Sequence, residues 1–427
     1  MKRIAILTNF IGYDKKYSLC NVVAEQIRML KNHNYPVRVI VNDGFKPEDP
    51  FTEDILDFIP NVRCYNEIKR DDTWEKDCED ISQKLEELLK SISTVLTHDL
   101  IYQPSYFKLN IAARKVAERQ PALQWMHWIH SSTTPSVLSH SADYLAGVKR
   151  PFPRSFVIYP NAFEIPRVAR NLGYEEDQVK VVNHATDPAD FFNFNAITRK
   201  IIDTHNLYPA DVIGCYPIRL DRGKQPEKIV HIFNGMKKIG RSIRLIICDF
   251  HSTGGDKVTY RNELKELGIS LGMTSNELIF TTDVGPECAS GVPRDVVRDL
   301  MLLSNVFIMP SRSETYSLIA QEAALCKNLL MLNYDFPPMR SIYGEAPLYA
   351  KFSSNIDVNT GMDGNTETEY HPSYEAYAQS QATRICYHLE HNRALSLAAH
   401  TRKNRSPDAI FRKQLEPLFY KNMDAWS

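Results

Sequence analysis

Residues 304–325 read SNVFIMPSRSETYSLIAQEAAL, and the fold is decided by what this stretch can be. Val306 to Met309 form a short apolar run suited to a buried strand, Pro310 and Ser311 end it, and the spacing that follows predicts a helix beginning around Thr315 to Ser317. Glu314 then falls in the turn at the strand's carboxyl end, and Glu322 about two turns into the helix. A helix start at such a place offers unpaired backbone N–H groups and a partial positive charge, which suit a diphosphate. A carboxylate beside it can accept hydrogen bonds from sugar hydroxyls. The spacing of the two glutamates means little by itself; the strand, Pro-Ser turn and helix around them give it meaning.

Working outward, short apolar runs alternate with longer segments of helical period, the pattern of parallel sheets covered on both faces. Toward the amino end the predicted strands are Arg3 to Phe10, Tyr35 to Asn42, Thr94 to Gln103, Leu123 to Ser131, Ser155 to Tyr159 and Gln178 to Val182. The clearest helix between them carries Ile81, Leu85, Leu88, Leu89 and Ile92 on one face. A polar stretch from Asn193 to Pro209 reads as a linker, after which strands resume at Asp211 to Ile218, Ser242 to Cys248, Glu277 to Thr281, Asn305 to Met309, Asn328 to Leu332 and Pro347 to Phe352. The expected fold is therefore α/β, with two Rossmann-like, doubly wound domains facing a cleft. The expected boundaries are 1–195 for the first domain, 196–210 for the linker, 211–400 for the second domain and 401–427 for a terminal helix. Ligands in such sheets bind at the carboxyl ends of the strands. Ser353 to Pro372 reads as a surface loop, and apolar Ile410, Phe411, Leu415, Leu418 and Phe419 suit a last helix that packs back on the first domain.

The bulk properties agree. A chain of 427 residues exceeds what one core usually serves, so two domains of about 200 residues each are expected. With 51 basic and 52 acidic residues there is no global field to draw in polyanions. The densest basic stretch, with Arg393, Arg402, Lys403, Arg405, Arg412 and Lys413, reads as the solvated face of terminal helices. The eight cysteines are scattered with no C-x-x-C pair and no His partners at zinc spacing, so no metal is expected. Without a signal-like segment or a run of about eighteen apolar residues, a cytoplasmic setting without membrane insertion is expected.

The quoted segment resembles the E-x7-E signature of retaining glycosyltransferases of the GT-B fold, particularly the large family 4 that includes sucrose-phosphate synthases. Their pattern runs roughly P-S-x-x-E-x-F-G-L-x-x-x-E-A, and Pro310, Ser311, Glu314, Leu318, Glu322 and Ala323 match it. The resemblance implies that Glu314 lies against the transferred sugar and Glu322 holds the ribose. Tyr316, Ser317 and Leu318 would present backbone to donor phosphate and sugar, with Thr315 beside them. Thr315 and Ser317 stand where glycine is common, so backbone approach there should be less free.

A second match, YPIRLDRGKQPEKIVHIF, looks like the family's G-R-x-x-x-x-K-G element, in which a strand ends on an arginine and a lysine follows. Arg219 and Lys224 take those positions, and two cations converging on a diphosphate stabilise a leaving group without a metal. Looser similarities extend this. KVVNHATDPADFF, Lys180 to Phe192, resembles the family's interdomain V-I-P-N-G-V-D-x-x-x-F segment with His184 in place of glycine, and Asp249 stands where relatives have a polar residue near the base. Gly12 follows the first strand where relatives carry glycines that admit the donor. His130 ends a strand where many have a histidine touching the sugar; for it and His127 a packed core histidine is the rival reading. His98 and Asp99 end another strand.

The implied reaction is transfer of a hexose-like sugar from a nucleoside diphosphate, UDP or GDP, to a hydroxyl acceptor with retention, with no cofactor beyond the donor. Catalysis falls to Glu314, His130, Arg219 and Lys224; donor binding adds Gly12, Asp249, Thr315, Tyr316, Ser317, Leu318 and Glu322. Two alternatives stay open: a disaccharide phosphorylase or nucleotide-sugar epimerase on the same fold, and a non-catalytic sugar- or nucleotide-binding subunit. The acceptor is left open among carbohydrate, lipid-linked glycan, protein, small metabolite and modified DNA base, as is the oligomeric state. Tyr334 to Gly344, with Asp335, Pro337, Pro338 and Arg340, follows a strand where it either shapes the site or simply stiffens a loop.

Overall fold

The computed structural model describes residues 2–14, 16–46, 55–60, 71–130, 146–147, 149–250, 257–312, 314, 316–352 and 373–420. The chain divides into two units: residues 1–185 with 407–427, and residues 186–406.

The first unit is built on a sheet of order β3-β2-β1-β4-β5-β6-β7, all paired in parallel. Its strands are β1 Ile4–Leu7, β2 Val37–Asn42, β3 Ile55–Ile59, β4 Thr94–His98, β5 Gln124–Trp128, β6 Ser155–Tyr159 and β7 Val179–Val181. Every residue of β1, β4, β5 and β6 is buried, because helices cover both faces; β1 is apolar throughout, whereas buried polar side chains of β4 and β5 pair across the strands, Thr94 Oγ1 donating to Gln124 Oε1 at 3.1 Å and Thr97 Oγ1 lying 2.8 Å from His127 Nδ1. One edge strand, β3, escaped the sequence reading. It lies in a charged stretch, and Arg38 pairs with its Asp57 at 2.7 Å. The chain's last segment belongs to this unit: Ile410, Phe411, Leu415 and Phe419 are fully buried in its core, with the Phe411 ring stacked 3.9 Å from His33.

The second unit has the order β10-β9-β8-β11-β12-β13, again parallel, from β8 Val212–Arg219, β9 Ile243–Phe250, β10 Leu278–Phe280, β11 Val306–Met309, β12 Leu329–Asn333 and β13 Leu348–Ala350. Both sheets are doubly wound. The strand order reverses between β1 and β4 in one and between β8 and β11 in the other, and crevices for ligands open at such points. Two of the second unit's glycines show how close its packing is. A Cβ on Gly214 of β8 would lie 2.5 Å from the Phe233 ring, and one on Gly235 would lie 3.0 Å from Ala382 Cβ, where helix Pro226–Lys238 packs on helix Ser373–His391.

Two expectations about the connections fail for stated reasons. The supposed linker 196–210 contains a helix, Ala196–His205, and the chain passes between units ten residues earlier. Its asparagines, read as linker residues, are caps: Asn195 Oδ1 accepts from Ile197 N at 2.8 Å, and Asn206 ends the helix at φ 48°. The return to the first unit falls at Ser406–Pro407, not at 400–401, because the residue before a proline is pushed out of the helical region; Ser406 has ψ 153°. The reading of Ser353 to Pro372 as a surface loop lies outside the described residues. Among the described cysteines, Cys20, Cys78, Cys215, Cys248, Cys288, Cys326 and Cys386 are unbridged.

Candidate functional site

In the second unit the switch point is built from the end of β8 and the turn after β11. Pro310 and Ser311 end β11 as expected, and their carbonyls are held by Asn333 Nδ2 at 3.4 and 3.1 Å. Arg312 N donates to Gly223 O at 3.0 Å, tying this turn to the one that follows β8. Tyr216 fixes both: its hydroxyl donates to Lys224 O at 3.0 Å and lies 3.3 Å from Ser311 Oγ. Buried Gln225, at φ 50°, completes the floor. With its amide nitrogen facing Pro310 O at 2.9 Å, its oxygen accepts from Lys228 Nζ at 2.6 Å and Arg312 Nε at 3.1 Å.

On this floor Lys224 Nζ forms an ion pair with Glu314 Oε1, and both side chains are mostly buried. These two residues lie 90 apart in sequence, and only the switch point joins them. Arg219 does not share this pair: its Nε binds Asp221 Oδ2, and Lys257 Nζ binds Asp221 Oδ1. Burial pushes the Asp221 carboxyl up, but Lys257 and Arg219 more than offset that and hold it below its usual range. Beneath, buried Glu227 is pushed up by desolvation and accepts from Tyr260 Oη at 2.5 Å. Asp221 lies two residues after Arg219 in the quoted element, as one of its unassigned positions; Lys257 carried no motif, and only the fold brings it to Asp221.

The helix after Glu314, Leu318–Leu325, starts just beyond the expected window. Ser317 precedes it at φ 64°, the left-handed conformation that glycine adopts most readily. Tyr343 Oη donates to Ser317 O at 3.1 Å, and Ser317 Oγ contacts Met309 Sδ at 3.0 Å, so the strained residue is held from two sides. Tyr343 thereby ties segment 334–344 to this turn. Tyr316 and Leu318 are exposed, with Gln321 Nε2 donating to Tyr316 Oη at 2.8 Å. Thr315 lies outside the described residues.

Two expected donor contacts have partners of their own. Glu322 pairs with Arg294, at the start of helix Arg294–Leu303. Asp249 is 3% exposed and accepts from Thr282 Oγ1 at 2.6 Å and Thr282 N at 3.2 Å, so it ties the end of β9 to the turn after β10.

The first unit gathers histidines at its own switch point. Gly12 sits in the loop after β1, paired in a bridge with Lys46, and a Cβ there would meet nothing within 4 Å. Across from β1, His98 Nδ1 lies 2.8 Å from His130 Nε2, and the His130 ring stacks on His184 at 5.3 Å. Asp99, at φ 52°, accepts from His130 N at 2.9 Å. Burial, then the neighbouring His184, lowers the His130 ring to about 3; His98 and His184 are lowered too, chiefly by burial. Burial raises Asp99 to about 6. These rings are neutral near pH 7 and trade hydrogen bonds rather than charge. His127 is a core residue, wholly buried with Nδ1 2.8 Å from Thr97 Oγ1. His184, read only as a replaced glycine, is the member the sequence did not connect with His98 and His130.

Among the described residues no cluster of histidine, cysteine and carboxylate could hold a metal, and no helix is long and apolar enough to cross a membrane. No protein-family model and no curated protein matches the chain. Among solved structures it is similar to a glycosyltransferase from Rickettsia africae, at 16% identity and a TM-score of 0.39 over 99% of both chains. It is similar also to Anabaena HepE in complex with UDP and glucose, at 14% identity and 0.38 over 99% of this chain and 100% of that one. A third is sucrose-phosphate synthase from Thermosynechococcus elongatus, at 16% identity and 0.35 over all of both chains. Likeness this distant leaves the activity to be argued from the chain's own residues.

Proposed function

We propose that the chain is a glycosyltransferase that moves a hexose-like sugar from a UDP- or GDP-sugar to a hydroxyl with retention of configuration and without a metal. The observation that carries this reading is the Lys224–Glu314 pair at the β8/β11 switch point. It sets a cation for phosphate beside a carboxylate for sugar hydroxyls, next to the start of helix Leu318–Leu325.

In this reading Lys224 and Arg219 bind the diphosphate, and backbone at Tyr316, Ser317 and Leu318, with Thr315, lines the donor. As the bond from the anomeric carbon to the diphosphate breaks, its electron pair goes to the phosphate oxygen and the cations stabilise that charge. Glu314 orients the sugar and faces the positive charge developing on its ring. The acceptor oxygen attacks from the face the diphosphate leaves, and its proton passes to the departing phosphate oxygen. Glu322 holds the ribose by giving up Arg294, and Asp249 acts through the Thr281–Thr282 turn near the base.

A panel of UDP- and GDP-sugars, assayed for hydrolysis and transfer, tests this. We expect turnover with one donor, an α-configured product from an α-configured donor by proton NMR, and loss of about 100-fold or more in kcat for Glu314→Gln. No turnover on any donor, or an inverted product, would overturn it; disaccharide breakdown that requires inorganic phosphate would favour a phosphorylase.

A further inference from the structure

Asp221 holds two cations from different elements, Arg219 at the end of β8 and Lys257 in the first turn of helix Lys257–Ser270. We propose that Lys257 is a third diphosphate-binding cation, and that Asp221 is a built-in competitor which occupies Arg219 and Lys257 until the diphosphate takes them over. This inference rests on the reading of the site as a nucleoside-diphosphate site.

Lys257 is badly placed for a purely structural lysine. Its side chain is only 11% exposed, and a cation in the first turn of a helix opposes the helix dipole. Both costs fall when an anion sits against it. Asp221 provides one, and it presents its two oxygens to the two cations much as a phosphate would. The backbone holds the carboxylate where it is: Asp221 N donates to Arg219 O at 2.7 Å and Lys224 N donates to Asp221 O at 2.9 Å. Of the two cations, Arg219 is the movable partner. The Arg219 side chain is 53% exposed, and a pair open to water holds its cation weakly.

Glu314 occupies Lys224 in the same way, so Arg219, Lys224 and Lys257 face Asp221 and Glu314 with one positive charge in excess. A diphosphate carrying two or more negative charges can outbid a single carboxylate for these groups. Asp221 then remains beside the phosphates, unpaired and repelling them. That repulsion weakens donor and product alike, and it favours release of the nucleoside diphosphate once the sugar has gone. Asp221 is thus a tuning residue for release, and Lys257 a binding residue on an element that no sequence motif marks.

Binding of UDP and GDP by titration calorimetry, on the full chain and on Asp221→Asn, Lys257→Gln and the double variant, tests the pair of roles. The expected result is binding about tenfold tighter for Asp221→Asn and about tenfold weaker for Lys257→Gln, with the double variant losing most of the gain. Equal or weaker binding by Asp221→Asn, or unchanged binding by Lys257→Gln, overturns the inference while leaving the site's reading intact. If the parent chain binds neither nucleotide, the reading of the site fails and the inference with it. Should Asp221→Asn not fold, Lys257→Gln alone still decides whether that cation meets the ligand.

Discussion

His98, His130, His184 and Asp99 show how burial sets the chemistry of single residues. A ring whose folded value lies near 3 against an ordinary 6.5 resists protonation, so the unfolded chain binds more protons below pH 6.5. Stability contributed by the neutral His130 is complete above pH 6.5 and is lost as pH falls toward 3; His98 and His184 act in the same direction. Asp99 opposes them. With its folded value raised to about 6, it takes up a proton in the folded state first, so acidification from pH 6 to 3.8 favours folding at this one group. Three rings against one carboxyl leave a net loss. Thermal unfolding of the chain should therefore drop from pH 7 to 5, less steeply in His130→Asn and more steeply in Asp99→Asn. A midpoint independent of pH over that range would contradict the account. His130 was legible as a strand-end histidine, but the ladder was not, because β4, β5 and β7 bring its rings together across 86 residues of chain.

Among the elements, the turn between β11 and helix Leu318–Leu325 was the most legible, and it holds Ser317 in a left-handed conformation. Pro310 and Ser311 announce the end of the strand, and Glu314 follows in the turn; Glu322 falls about one turn into the helix instead of two, because the helix starts only at Leu318. Ser317 is the position that the resemblance marks as one where glycine is common, and here it takes φ 64°, the left-handed conformation that glycine adopts most readily. A residue with a Cβ in that conformation costs about 1 kcal/mol relative to glycine. Ser317→Gly should hence be more stable than Ser317→Ala by about 1 kcal/mol in urea unfolding, both lacking the contact to Met309; equal stabilities would show the strain to be absent. Other elements were illegible for the converse reason. Asn195 and Asn206 look like linker residues until a helix is seen between them, since capping chemistry and loop chemistry use the same side chains. The edge strand β3 gives little signal because it pairs with β2 alone.

Over the whole molecule, the two series of strands declared two parallel sheets, and the reversal of strand order after β1 and after β8 makes each doubly wound. Which loops meet at a switch point could not be read from strand positions alone, as β1 and β8 each pair with a strand three places later in the chain. Arg219 and Lys224 looked like equal partners in sequence, yet the fold gives Lys224 to Glu314 and Arg219 to Asp221. The central claim is that this second-unit switch point holds a nucleoside diphosphate. It is tested most directly by calorimetric titration of UDP and GDP into the chain and into Lys224→Met, with circular dichroism to show that the variant is folded. The account predicts micromolar or tighter binding of one nucleotide, weakened about tenfold to 100-fold by loss of the lysine and falling with salt. Binding of neither nucleotide, or equal binding by a folded Lys224→Met, would contradict it.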